Sequence, residues 1–593
     1  MPFRDDRIQI QLSPKEEIVF KRSFFTFVAL LVVLSLALAA CQPKPTEAPT
    51  QPPAQQEPTK APEQPTATTA PEQPAAPAFE GMKVEAPNCD YGGELKSIEA
   101  VDAQTVKFTL CYPDPAFPSK VAFNVFAIVD SEYLAQVGGD SIKMSDAPVG
   151  TGPFKLKSWV RGDSITFEAN PDYWGEKPKY QTLIFRWSEQ SAQRLLELQS
   201  GQVDGIDNPA PEDFATIEAD SNLQLIPRDP LNIFYIGFNV DLAPFNNEKV
   251  RQAFAMAIDR KKIVDNYYPE GSEVATVFVP PALKPGWSDA NPWYEYNPEM
   301  AKQLLTEAGF DFNQEVKLSF RNVVRGYLPT PDKVAQEIQA QLAEIGVKVK
   351  LNQMESAAFI DSTAAGNEAF YLLGWGADYP DATNFYDYHF ANDNNKQFGT
   401  LFPDIVEPIR KAAQISDPAE RQKLYDEVNA KLKEHVPMIP VAHGASAVAF
   451  TASVKNAMTG PLSNEPFFIM DPGKDTLVWM QNGEPAAIYC PDETDGEALR
   501  ACQQIFETLL LFKPGTAEAG PGLAESYTVN GDATEYVFTL RKGVKFHNGA
   551  DLDANDVVAS FKAQWDAKDP NHKGRTGTFE YFGAFFGAFL NAE

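Results

Sequence analysis

TPDKVAQEIQAQLAEIGVKVKL, residues 330–351, decides the fold class. Thr330-Pro331 opens a helix whose apolar residues Val334, Ile338, Leu342 and Ile345 recur at the helical repeat and line one face. Gly346 stops it, and proline in the first turn with glycine just past the end is the expected asymmetry. Val347, Val349 and Leu351 then alternate with lysines, the period of a strand. The same alternation of elements extends outward. Asn297-Pro298 starts a helix ending at Ala308-Gly309, and residues 247–259 read as another. Strands are expected at 164–168 and 536–540. Helices interleaved with strands predict an α/β fold with mixed sheets.

The N-terminal region has a different composition. Lys21 and Arg22 precede FFTFVALLVVLSLALAA (24–40), a run of 17 apolar or small residues that ends at Cys41. A spanning helix needs about 20 residues, and a small-residue cleavage site follows the run, so residues 1–40 read as a secretory signal. A cysteine at that junction is similar to a bacterial lipobox, which implies a lipid on Cys41. The alternative is an uncleaved N-terminal anchor. Residues 41–79 are rich in Pro, Thr, Gln, Glu and Ala with no apolar period, the composition of a disordered tether. At about 3.1 Å per residue such a tether reaches roughly 100 Å. The expected location is extracytoplasmic, tied to a membrane.

The remaining residues, about 510, suffice for more than one lobe. A formal charge of −30 argues against nucleic acid, whose phosphates require clustered Lys and Arg. Beyond Cys41 there are four cysteines, which outside the cytoplasm read as two disulfides. Local pairing, Cys89–Cys111 and Cys490–Cys502, is the preferred of three connectivities. A metal site is the rival reading, but no CxxC spacing occurs and there are five histidines, so no metal or cofactor is expected.

Motifs of chemistry are few. GTGPFK (150–155) lacks the GxxxxGK[ST] spacing of a phosphate loop, and Gly152-Pro153 reads as a turn. His547-Asn548-Gly549 reads as a turn before a helix with Asp553 as N-cap. HExxH and GxSxG do not occur.

Six blocks together resemble the extracellular solute-binding proteins of family 5, the receptors of ABC importers for peptides and nickel. They are GTGPFKLKSW (150–159), NPDYWGEKP (170–178), LQSGQVDGID (198–207), FNVDLAPFNNEKVRQAFAMAID (238–259), GWGADYPDATNF (374–385) and YVFTLRKGVKFHNGADLDANDVVASF (536–561). The resemblance implies a two-lobed fold of the periplasmic-binding-protein type II, large peptide-binding class, with an additional small α/β domain. Relative to the family the order is changed: blocks expected at the start stand at the C-terminus. Read from Asp475 to Glu593 and then from Phe79 to Met470, the family's order is restored. This implies a circular permutation, the alternatives being a misassembled gene or a truncated tandem pair. The expected organisation is 81–145 and 506–593 as the small domain, 146–240 and 451–505 as lobe I, and 241–450 as lobe II.

The resemblance also implies a site. Asp378 matches the position whose carboxylate meets the α-amino group of bound peptides; the alternative is a turn-capping Asp before Tyr379-Pro380. Trp375 and Tyr379 are expected as walls of the pocket or as core aromatics. Glu484 matches a position facing the cleft from lobe I, or is a solvated loop acid. Tyr235 and Asn239 lie on the approach to the hinge, and Tyr581 comes from the small domain. The function implied is that of a monomeric, non-enzymatic lipoprotein that captures oligopeptides or dipeptides by lobe closure and passes them to an ABC permease. An oligosaccharide receptor on the same scaffold is the alternative, and an extracellular hydrolase is the alternative of another class.

Overall fold

A computed structural model describes residues 79–392 and 395–592. The signal segment, Cys41 and the tether up to residue 78 lie outside the described residues. Among those described, no helix is long and apolar enough to cross a membrane.

The quoted stretch folds as its pattern dictates. The helix runs Pro331–Glu344 with Val334, Ile338 and Leu342 buried, and the strand Lys348–Met354 follows. Gly346 holds φ +91°, where a side chain would be strained. That strand is the edge of a six-stranded mixed sheet, where it pairs in parallel with Glu315–Arg321. Next come Phe370–Gly376, Asn232–Phe238 and Met438–His443, and the two-residue strand Glu273–Val274 closes the other edge. Residues 247–259 form one helix only to Ala257. Asp259 then caps a second, Arg260–Tyr267, by accepting from the Lys262 amide.

A seven-stranded sheet carries the other wall of the molecule. Thr476–Gln481 lies at its centre, parallel to Thr182–Trp187 on one side and to Gly205–Asp207 on the other. A five-stranded antiparallel sheet is assembled the same way, with Glu535–Leu540 paired against Thr105–Leu110. Residues near the described C-terminus also bond to residues near the described N-terminus. The Glu94 amide donates to the Phe586 carbonyl at 2.7 Å, and Lys120 Nζ meets Glu94, Asp114 and the Phe585 carbonyl at 2.8–3.0 Å. The disulfides are Cys89–Cys111 and Cys490–Cys502.

Two main cores result. One surrounds Trp479, Phe108 and Phe126 and unites the five- and seven-stranded sheets; the other surrounds Phe238, Phe254 and Phe370 in the six-stranded sheet. Phe238 stacks on Phe370 at 5.5 Å while Phe254 meets Phe370 edge-on at 5.5 Å, the offset and T-shaped geometries that ring quadrupoles favour. The chain crosses between the lobes through two short segments, 229–231 and 444–445. Asn232 pins them together, its Nδ2 donating to the Gly444 carbonyl at 2.7 Å and its Oδ1 accepting from the Gly444 amide at 2.8 Å. The strand Asn232–Phe238 is thus bonded into the six-stranded sheet, so residues 232–240 stand with the second lobe rather than, as the sequence reading had it, with the first.

Candidate functional site

Where parallel strands end, their backbone groups and side chains open onto a crevice, the usual place for a ligand in an α/β sheet. Both lobes present such ends to one cavity of about 620 Å³. From the six-stranded sheet, Arg321 ends one parallel strand and Trp375-Gly376 ends its neighbour. From the seven-stranded sheet, Asp207 and Asn482 stand at or just past two other parallel strand ends.

Asp378 follows directly after the strand Phe370–Gly376 and is 8 % exposed. Asn384 organises it: Nδ2 donates to Asp378 Oδ2 at 2.9 Å, while Oδ1 accepts from the Asp378 amide at 3.0 Å and from Trp375 Nε1 at 3.1 Å. The Tyr581 hydroxyl donates to Asp378 Oδ1 at 3.2 Å. Burial pushes the Asp378 carboxyl up to about 7, only partly offset by the hydrogen bonds from Asn384 and Tyr581, while the charge of Glu580 adds to the rise. Among the described residues no cation is paired with it. Trp375 stacks on Tyr388 at 4.3 Å, and the Tyr388 hydroxyl donates to Glu580 at 3.1 Å. This corner therefore offers a buried acid, held in place by neutral donors, beside an aromatic floor.

The same wall supplies two guanidinium groups. Arg321 donates to Ser356 Oγ at 2.9 Å and to the Tyr327 hydroxyl at 3.2 Å. Arg325, one quarter exposed, reaches across the cleft to Glu497 Oε1 at 3.3 Å. The opposite wall holds a closed square of charge. Arg228 contacts Asp207 at 3.2 Å and Glu465 at 2.6 Å; Arg500 contacts the same two acids at 3.0 and 2.6 Å. All four are nearly fully buried. Burial alone would raise Asp207, but Arg500 and Arg228 hold it below the usual carboxylate range. Glu507 also lines the cavity and accepts from Thr151, Tyr173 and Trp174 at 2.7–2.8 Å; burial pushes it up to about 7.

Of the residues expected from sequence, Asp378, Trp375 and Tyr581 meet at the cavity, and the others stand elsewhere. Tyr379 turns into the first lobe's core, edge-on to Phe585 at 4.9 Å, with its hydroxyl shared with Thr383 Oγ1 at 3.0 Å. Glu484 ties down the hairpin after Phe154–Val160, accepting from Trp159 Nε1 and the Gly162 amide, each at 3.0 Å. Tyr235 is buried with its hydroxyl donating to Gln397 at 2.7 Å, and its strand is paired on both sides, so its backbone is committed to the ladder. Asn239 donates to the Gly366 carbonyl at 2.9 Å, outside this cavity. The sequence reading missed Arg321 and Arg325. The signal for them was a pair of arginines at and just past the end of a strand, in RNVVRGY (321–327).

Two lobes joined by paired crossovers, with strand ends facing a shared cleft, define a bivalve ligand receptor. The family model described as bacterial extracellular solute-binding proteins, family 5 Middle, matches residues 59–397 and 518–580, and the chain belongs to that family. Its members are transport binding proteins, not enzymes. Heme-binding protein A of Haemophilus influenzae is 31 % identical over 401 residues, 66 % of this chain and 71 % of that one. The dipeptide-binding protein of Escherichia coli is 28 % identical over 382 residues, 63 % of this chain and 71 % of that one. Among solved structures, the periplasmic binding protein DppA of Helicobacter pylori in complex with the peptide STSA superimposes with a TM-score of 0.58 at 27 % identity, covering 64 % of this chain and 74 % of that one.

Proposed function

We propose that the protein captures short peptides between its lobes and delivers them to an ABC permease, held at the membrane by a lipid on Cys41. One observation carries the reading: the cavity sets a buried carboxyl without a cation, Asp378, in the same wall as the guanidiniums of Arg321 and Arg325. A zwitterionic peptide presents the complementary pair, an ammonium for Asp378 and a carboxylate for Arg325. Neutral sugars present neither. Trp375 and Tyr388 provide a flat apolar surface that accepts varied side chains. The relatives named for dipeptides and the neighbour holding STSA agree with this chemistry.

The circular permutation belongs to the same reading. Interior strands of two sheets come from residues 476–481 and 535–540; the first is flanked by Thr182–Trp187 and Gly205–Asp207, and the second pairs on one side with Thr105–Leu110. Bonds join Glu94 to Phe586 and Met82 to Asn555. A chain with its family's segments reordered satisfies these pairings within one molecule. Residues 81–145 and 506–593 then form the small domain.

The test is native mass spectrometry of the full chain, purified in detergent without denaturation. Co-purifying peptides that disappear in Asp378→Asn are expected. A bound glycan, or peptides retained by Asp378→Asn, would refute the role given to Asp378.

A further inference from the structure

The ion pair between Arg325 and Glu497 spans the cleft where a peptide carboxylate is proposed to bind, and it leaves a question about Glu497 once that carboxylate arrives. Glu497 is 6 % exposed, and Arg325 is its one ion-pair partner within 4 Å among the described residues, although the charges of Arg500 and Arg194 also act on it from farther away. Asp495 adds a second acid on the same turn, with one oxygen accepting from the Ala498 amide at 2.9 Å. Burial, then the charge of Glu497, push Asp495 up to about 7, with the charge of Arg325 offsetting only part of the rise.

A second observation stands independently of the acids. Asn482 lines the same cavity and is 8 % exposed, and its Oδ1 is buried without a hydrogen-bond partner. A buried acceptor left without a donor is costly, and a ligand donor that reaches it relieves that cost. The residues on either side of Asn482 approach Glu497: Gln481 Nε2 donates to the Glu497 carbonyl at 3.4 Å, and a Cβ on Gly483 would lie 3.9 Å from Glu497 Cγ. Over the cavity wall as a whole acids outnumber bases eight to five, and with the balanced square set aside, six to three. Acceptors and negative charge in excess call for a ligand that brings donors and positive charge.

We propose that Asn482 and Glu497 form a subsite for a basic side chain, so that the receptor favours peptides ending in lysine or arginine. The inference rests on the peptide reading above. The terminal residue's carboxylate replaces Glu497 on Arg325, its ammonium or guanidinium replaces Arg325 on Glu497, and the spare donors reach Asn482 Oδ1. The cleft's own ion pair is thereby exchanged for two pairs with the ligand.

The experiment is isothermal titration calorimetry of the full chain in detergent with Ala-Lys, Ala-Arg, Ala-norleucine and Ala-Glu. The basic dipeptides are expected to bind about tenfold tighter than Ala-norleucine, the worth of a charge-assisted hydrogen bond, and Ala-Glu weakest. In Glu497→Gln that preference is expected to vanish. Asn482→Ala, which removes no charge, is expected to lose about threefold of it and serves if Glu497→Gln lowers the melting temperature. If Ala-norleucine binds as tightly as Ala-Lys, or if both variants keep the preference, the subsite is refuted while peptide capture stands. If none of the four binds, peptide capture and the subsite fall together.

Discussion

In the wall built by the seven-stranded sheet, Arg228, Arg500, Asp207 and Glu465 neutralise one another; across the cleft Asp378 keeps a buried carboxyl with neutral partners only. Both groups line the same cavity. Buried charges are tolerated when each has its opposite, and the square meets that condition without a ligand. Asp378 does not, and its elevated proton affinity is the sign of an environment that lacks a cation. The square fixes the shape of one wall, while Asp378 holds an unmet demand that a ligand can satisfy. Cleft lining alone therefore does not distinguish the two groups; an incomplete set of partners does.

Four measurements test that contrast, beginning with the largest effect. Arg500→Leu leaves Asp207 and Glu465 short of a partner and is expected to cost about 3–5 kcal/mol in stability, read by urea denaturation. A loss below about 1 kcal/mol would mean that the square is not structural. Asp378→Asn is expected to do the reverse. Affinity for a dipeptide falls by about 1.5–3 kcal/mol, the worth of a hydrogen bond to a charged group, while the ligand-free melting temperature holds or rises. Loss of fold in Asp378→Asn would put the residue in the same class as the square.

The third test is pH. Folded Asp378 keeps its proton up to about 7, whereas an unfolded Asp releases it near 4. The folded state binds more protons between those values, so the stability from Asp378 is present at low pH and is lost as pH rises through 7. Asp378→Asn should flatten that part of the profile. Peptide affinity runs oppositely, because an ammonium requires the ionised acid: it should fall up to about tenfold per unit below pH 7 and level off above it. Affinity that is flat from about pH 5 to 8 would exclude Asp378 as the amine partner. Last, Tyr581→Phe removes one hydrogen bond from Asp378 and should weaken binding by about 0.5–1.5 kcal/mol without lowering stability.

What could be read from sequence depended on how local its cause was. The helix Pro331–Glu344 was legible because proline, glycine and the apolar repeat all lie within its own span. The disulfides were legible for a similar reason, since each closes a short loop. The helix expected over 247–259 overran because Asp259, read as its last residue, is the cap of the next one. Asp378, Trp375 and Tyr581 came from the resemblance, and the structure does bring them together. For Tyr379 the sequence left wall and core open, because no local pattern past the strand end says which way it turns; the structure puts it in the core. The charged square was illegible: its members lie at positions 207, 228, 465 and 500, and no periodicity links side chains that meet only in three dimensions. Arg325 was missed for the same reason, its partner being 172 residues away.

The strand Thr476–Gln481 also sets an order of events during synthesis. Every strand of the six-stranded sheet lies between residues 232 and 443, so that sheet can close as soon as its own segment has emerged. The seven-stranded sheet cannot. Thr182–Trp187 and Gly205–Asp207 are made early, yet the strand that separates them appears nearly 300 residues after the first. Until then the nascent chain carries two unpaired, apolar strand edges, the kind that invite pairing with another chain.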